Sequence, residues 1–271
     1  MAILARYAYA SGVDTTTLLA LRFAIAAAAM VMLLHAREVA LPRGRTLLAL
    51  IGLGGLGYGG QAFTFFTALT LAPAGLVALL LYLHPALVAL LSSALLHEKL
   101  TPTKLIALAV ALAGMALTVA PSLTGDVPTA SHAGIAFGVA AAAIYALYIV
   151  AGARIGRSVP ALAMSTVVIG SAGTVFVVAT LIRGPAWPQT GTGWLAIAGI
   201  ALVSTAGAIT LFFAGLERIG PTRASTLSIV EPLVTVTLAA ILLGESIAPM
   251  QIMGGALILA AVILLARAKS P

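Results

Sequence analysis

Long apolar stretches alternate with short polar segments along almost the whole chain. An α-helix needs about 20 apolar residues to cross a bilayer, and nine stretches come close enough to predict complete membrane spans. They run from Thr15 to Leu34, Arg45 to Leu71, Gly75 to Leu96, Pro102 to Pro121, Ala133 to Val150, Ala161 to Leu181, Gly193 to Leu216, Ala224 to Leu243 and Pro249 to Leu265. The pattern predicts an all-α integral membrane protein.

The amino-terminal ten residues form a shorter apolar segment. Met1 to Ala10 favours a helix but has about half the length that a membrane crossing needs. We interpret it as the second half of a helix whose beginning is absent. Together with the nine complete spans, this truncated helix gives a ten-helix plan.

Composition supports the membrane prediction and removes several other classes. The chain is 62% hydrophobic and 8% charged, whereas soluble domains average about 45–50% apolar and about 25% charged residues. The net charge is +7. The basic residues occur singly, in pairs or in threes between apolar runs, and do not form the basic patch that is typical of nucleic-acid-binding proteins. There is no cysteine, and three of the four histidines lie near helix ends, so we predict no metal site and no cofactor.

The basic residues of the loops test the topology, because cytoplasmic loops collect Lys and Arg. If the first helix starts in the cytoplasm, eleven Lys and Arg residues lie on the cytoplasmic side and Arg183 lies alone on the other. This bias predicts a cytoplasmic carboxyl terminus. The absence of cysteine and of a eukaryotic targeting signal suits a multi-pass protein of a bacterial inner membrane.

An internal repeat appears when the sequence is shifted by 147 residues. Leu48 to Ile106 then aligns without gaps with Leu195 to Met253, and 14 of the 59 positions are identical. The informative matches involve rarer residue types, and they are Gly52 with Gly199, Gly60 with Gly207, Phe65 and Phe66 with Phe212 and Phe213, Pro85 with Pro232, Glu98 with Glu245, and Pro102 with Pro249. Equivalent spans are five crossings apart, so the two copies are predicted to be inverted. Inverted repeats are a recurrent plan of secondary transporters.

Each copy also carries a proline, an apolar stretch and a glutamate, from Pro85 to Glu98-Lys99-Leu100 and from Pro232 to Gly244-Glu245-Ser246-Ile247. Leu19-Ala20-Leu21-Arg22-Phe23 precedes the first pattern and Phe212-Phe213-Ala214-Gly215-Leu216 the second. In order and duplication these segments resemble the EamA repeats of the drug/metabolite transporter superfamily. The resemblance implies two five-helix repeats, here residues 1–120 and 131–267, with both chain ends in the cytoplasm. It also implies transport, usually export, of metabolites such as amino acids.

Two polar residues occupy the same repeat position near the middle of their spans. His84 precedes Pro85, and Glu231 precedes Pro232. A charged side chain at the centre of a span costs about 2.5–3.5 kcal/mol on insertion scales, and such residues are usually functional. Each proline breaks its helix and frees a carbonyl four residues earlier. We predict that Glu231 is the main polar determinant of substrate binding or proton exchange, although it could simply satisfy the freed carbonyl.

The role of His84 stays open between substrate binding and a local hydrogen bond to the backbone or to Tyr82. Arg22 has two interpretations as well. It either anchors the helix by pairing with Asp14, which we favour, or attracts an anionic group into a cavity. The aromatic and amide side chains that could line such a cavity are Tyr58, Gln61, Tyr82, Tyr145, Tyr148 and Trp194.

These observations predict a secondary transporter that exports a small organic metabolite by alternating access. Its expected partners are that solute, the lipid bilayer and a proton. We predict no nucleic-acid partner, and the sequence does not predict the oligomeric state. A multidrug or amphiphile exporter is an alternative within the same class. An intramembrane enzyme is a second alternative, although the chain has no GxSxG or HExxH motif and no pair of membrane carboxylates. A non-transporting remnant is a third, because of the short first helix.

Overall fold

The computed structural model of the protein describes residues 1–96, 102–124, 130–155, 159–212, 214, 230–244 and 247–267. All regular secondary structure in these ranges is helical, which confirms the all-α prediction. The helices are α1 Ala2–Ala10, α2 Thr15–Ala36, α3 Gly44–Leu71, α4 Ala74–Leu81, α5 His84–Leu96, α6 Pro102–Thr124, α7 His132–Ile155, α8 Ala161–Arg183, α9 Gly191–Phe212, α10 Val230–Leu243 and α11 Pro249–Arg267.

Five of the described helices are long and apolar enough to cross a membrane, namely α2, α3, α7, α8 and α9. Two of them contain a π-helical turn, from Leu53–Tyr58 in α3 and from Leu202–Gly207 in α9. A π-helical turn inserts one residue into the hydrogen-bond ladder and is frequent at functional sites. The two helices that contain these turns have sequences that align in the internal repeat.

The third predicted span, from Gly75 to Leu96, is divided into two helices. α4 ends at Leu81, and α5 begins at His84. Pro85 lies in the first turn of α5, where a missing N–H and a fixed φ are tolerated. The amino-terminal part of the eighth predicted span, 224–229, lies outside the described residues.

Large apolar side chains cover much of the outer surface of the helices. Leu56 is 82% exposed, Ile182 80% and Leu195 74%. Water-soluble monomers rarely expose apolar patches of large area, whereas a lipid-facing helix surface is apolar as a rule. The exposed apolar surface and the five long helices indicate a multi-pass membrane protein.

The chain folds into two compact units. The first unit comprises Ile3–Phe66 and Ala151–Arg218, and the second comprises Thr67–Val150 and Ile219–Pro271. Each unit therefore takes one segment from each half of the sequence. They are packing units rather than repeats, so the repeat boundaries at 1–120 and 131–267 stay a prediction.

The first unit is organised around α2 and α8, which pack along each other. Phe23 of α2 stacks on Phe176 of α8 with ring centroids 5.7 Å apart, and its edge meets Tyr58 at 5.4 Å. Gly54, in the π-helical turn of α3, lies directly against the backbone of α8 at Val168. Small residues allow this approach, which maximises van der Waals contact between membrane helices.

The second unit contains a similarly close helix pair, α6 with α11. Gly114 of α6 lies opposite Gly254 of α11, and a Cβ atom on either would meet the other's carbonyl oxygen. Gly134 and Gly138 bring α7 against Leu71 and Leu80. The Gly134-xxx-Gly138 spacing thus allows close contact between helices.

Candidate functional site

Arg22 heads the largest fully buried side chains among the described residues of the first unit, with 1% of its surface exposed. Its Nε–H donates to Thr205 Oγ1 at 2.7 Å, and its Nη2 donates to Tyr58 OH at 2.7 Å. Nη1 is also buried and has no hydrogen-bond partner among the described residues. The structure thus places a permanently charged group in the unit interior with neutral hydroxyls as its hydrogen-bond partners.

Both partners of Arg22 belong to π-helical turns. Tyr58 ends the turn of α3, and Thr205 lies in the turn of α9. The Thr205 hydroxyl donates to the carbonyl of Ile200, five residues earlier, and can therefore accept from Arg22. Tyr58 and Thr205 are 147 residues apart, the offset of the internal repeat. One arginine therefore joins two repeat-equivalent positions.

The predicted pairing of Arg22 with Asp14 is wrong. Asp14 is the N-cap of α2, and its carboxylate accepts from the backbone N–H of Thr17 at 2.6 Å and from the hydroxyl of Thr16. A side-chain acceptor at this position satisfies backbone donors that a helix start leaves unpaired. Asp14 is therefore engaged at the end of α2, and Arg22 has found its partners on other helices.

Aromatic rings surround the Arg22 guanidinium. Its carbon lies 4.7 Å from the ring centre of Phe23, 5.0 Å from that of Phe66 and 5.8 Å from that of Tyr58. Contacts between a cation and an aromatic face recover part of the lost hydration. Gln61 follows Tyr58 by three residues on α3 and is buried, with 5% of its surface exposed.

Substituting Tyr58 with phenylalanine should destabilise the first unit. The change leaves Arg22 Nη2 without its hydroxyl acceptor while keeping the ring, so the free energy of unfolding should fall by about 1–2 kcal/mol. Thermal unfolding of the detergent-purified protein measures the effect. Tyr7→Phe is the matched control, because Tyr7 is 44% exposed; equal stability of the two variants would contradict the role of the Tyr58 hydroxyl.

The second set of polar side chains lies at the break between α4 and α5. His84 Nδ1 is 2.9 Å from the carbonyl oxygen of Leu81, which Pro85 leaves without its helical donor. An N–H on Nδ1 would donate to this carbonyl, leaving Nε2 as the other ring nitrogen. The local backbone bond foreseen for His84 is therefore present, and it fixes the ring at the helix interruption.

Three tyrosines accompany His84 in the second unit. The His84 ring meets Tyr145 at a centroid distance of 4.7 Å and Tyr82 at 5.5 Å, both edge to face. Tyr145 in turn stacks on Tyr148 at 5.9 Å. Tyr82 and Tyr148 are buried, whereas Trp194 of the first unit is 42% exposed and stacks on Trp187. Exposed tryptophans are typical of the membrane–water interface.

Glu231 and Pro232 lie in the first turn of α10, which the structure describes from Val230 onward. The side chains of both residues, and Ser228 with its predicted free carbonyl, lie outside the described part of the chain. Their predicted roles remain predictions. Within the described ranges, no three histidine or acidic side chains come together to form a metal site.

Polar side chains at an interrupted helix and at π-helical turns, in a chain of long apolar helices, are typical of membrane transporters. The sequence model of the EamA-like transporter family matches residues 1–120 and 132–267. The chain belongs to this family, which confirms the resemblance drawn from its motifs. Like its family, it carries a small-molecule solute and is embedded in a membrane.

Relatives agree with this assignment. An "Uncharacterized transporter" of Archaeoglobus fulgidus is 31% identical over 232 residues, which cover 84% of this chain and 78% of that protein. The "Threonine/homoserine exporter RhtA" of Escherichia coli K12 is 31% identical over 211 residues, covering 76% of this chain and 67% of the relative. One crystal structure superposes with a TM-score of 0.71 at 27% identity, over 97% of this chain and 94% of the other.

Proposed function

We propose that this chain is a secondary transporter that exports a small, amino-acid-like metabolite across the cytoplasmic membrane by alternating access. The observation that carries the proposal is the interrupted helix at Leu81 and His84 in a member of a transporter family. Discontinuous helices form the substrate and ion sites of many secondary transporters, because their free backbone groups and adjoining polar side chains can bind a solute.

The substrate class is supported by the similarity to RhtA, whose name gives threonine and homoserine as exported solutes. In the second unit, we propose that His84 and Tyr82 contact the solute. Pro85 and Pro232 interrupt the hydrogen bonding of their helices, which leaves backbone carbonyls free to bind. Glu231 exchanges a proton or a substrate amine. In the first unit, we propose that Arg22, Tyr58 and Gln61 form a polar group of their own that binds the solute.

The proposed mechanism also uses the repeat. Two inverted five-helix halves, 1–120 and 131–267, would supply outward-open and inward-open states of similar energy. The eleven-to-one distribution of loop Lys and Arg supports an inner-membrane orientation with the carboxyl terminus in the cytoplasm.

Reconstituted vesicles test the proposal. Liposomes containing the purified protein are loaded with radiolabelled L-threonine or L-homoserine and diluted into buffer of equal or lower pH. We expect both solutes to leave faster than from protein-free liposomes, and faster still into acidic buffer, because inward proton flow would drive export. Radiolabelled sucrose serves as the leak control. Efflux of both amino acids at the protein-free rate would refute the proposal.

A further inference from the structure

We infer that the Arg22 guanidinium binds the carboxylate of the transported solute through its unpaired Nη1. This inference rests on the proposed function and names the group that recognises one end of the solute. It starts from an imbalance of charge. Arg22 is 1% exposed, always protonated, and bonded to the neutral hydroxyls of Tyr58 and Thr205.

Neither of the two acidic side chains in the described residues compensates this charge. Asp14 is engaged in capping α2, and Glu38 follows the end of the same helix, sixteen residues beyond Arg22. Arg22 is eight residues beyond the N-cap, which places it ~12 Å along the helix axis and inside the hydrocarbon layer. A buried cation at such a depth is strongly disfavoured unless an anion or a polar group accompanies it.

The geometry of the guanidinium prepares it for a planar anion. Thr205 holds Nε and Tyr58 holds Nη2, while Phe23 and Phe66 contact the group through their rings. Nη1 is left buried with both of its N–H donors unpaired among the described residues. A fixed guanidinium with Nη1 unpaired suits a carboxylate, whose oxygen can accept a charge-assisted hydrogen bond from that nitrogen.

The solute is the natural source of that carboxylate. An amino acid carries one carboxylate whatever its side chain, so a single arginine can recognise the whole substrate class. The two hydroxyl groups that bind Arg22 belong to the π-helical turns of α3 and α9. A carboxylate bound to Arg22 would therefore be linked to both helices. Aromatic contacts alone do not account for the unpaired Nη1, because its N–H bonds need acceptors.

Isothermal titration calorimetry on the purified protein tests the inference. The probes are L-threonine and L-homoserine and, for each, the carboxamide, which keeps the amine and the shape but lacks the negative charge. We expect the wild-type protein to bind each acid at least about tenfold more tightly than its amide, as a charge-assisted hydrogen bond requires.

Arg22→Gln should reduce the acid-to-amide ratio of affinities to about one while leaving the affinity for the amides unchanged. Arg22→Lys should give an intermediate ratio, because it keeps the charge but loses the planar guanidinium that Thr205 and Tyr58 hold in place. It replaces the glutamine variant if that one does not fold. Arg183→Gln, at the exposed carboxyl end of α8, is the control and should behave as wild type.

The outcomes separate the two claims. Equal binding of acids and amides to the wild-type protein would overturn the role of Arg22 and leave the proposed export of amino acids intact. An Arg22→Gln variant that weakens acids and amides alike would also overturn it, because a structural role predicts that result. If neither acids nor amides bind the wild-type protein, the proposed substrate class fails and the inference with it.

Discussion

Replacing Glu231 with glutamine is expected to reduce amino-acid efflux from proteoliposomes to the rate of protein-free vesicles and to remove its dependence on pH. Glutamine has nearly the shape of glutamate but can neither carry a negative charge nor exchange a proton. A carboxyl group within a membrane span is costly, and such residues are retained mainly where they act. The loss should therefore be far larger than a packing effect.

Glu38→Gln is the matched control for this substitution. Glu38 is exposed in the turn after α2, so the same chemical change there should leave the rate and its pH dependence unaltered. A Glu231→Gln protein that transports at the wild-type rate with the wild-type pH profile would show that Glu231 only satisfies a backbone carbonyl of its helix.

The second large effect concerns folding. Gly54→Ala should destabilise the protein by about 3 kcal/mol or more, because overpacking of a rigid interior costs 1–3 kcal/mol and backbone has little room to yield. A Cβ at position 54 would lie 2.7 Å from the Cα of Val168, with the Val168 carbonyl and the Ser171 hydroxyl closer still. We expect loss of monodisperse protein or a marked fall in melting temperature in detergent.

The neighbouring glycine provides the control. Gly55 lies in the same π-helical turn, but a Cβ there would meet Val175 at 3.5 Å, an ordinary contact distance. Gly54→Ala and Gly55→Ala therefore make the same change to the backbone and differ in the space around it. Equal stability of the two variants would show that α3 and α8 do not pack at Gly54 as described.

Sequence reasoning located the candidate site only in part. It identified Arg22, Tyr58 and His84 as polar residues within spans, because a polar residue in a long apolar run is conspicuous. It paired Arg22 with Asp14, although Asp14 directly precedes the helix start at Thr15 and has the sequence position of an N-cap. That local signal should have outweighed the charge attraction.

Thr205 was not among the predicted residues. Threonine is common in apolar spans, and its hydroxyl usually bonds to the backbone of its own helix. The repeat alignment nevertheless contained a usable signal, because the 147-residue offset places Thr205 opposite Tyr58. The same offset pairs His84 with Glu231, so polar residues at equivalent repeat positions are a usable guide to such contacts.

The sequence by itself determined the all-α class, the membrane location and the family. The first two properties follow from local chemistry, because a long apolar segment in lipid must form a helix to satisfy its backbone hydrogen bonds. The family follows from motifs that can be recognised directly in the order of the residues. Only the tertiary structure decided which side chains meet. The π-helical turns, the contact of Gly54 with Val168 and the bonds from Arg22 to Tyr58 and Thr205 join helices far apart in sequence. Such contacts depend on helix rotation and approach, which hydrophobic pattern does not specify when the helix surface is apolar on all sides.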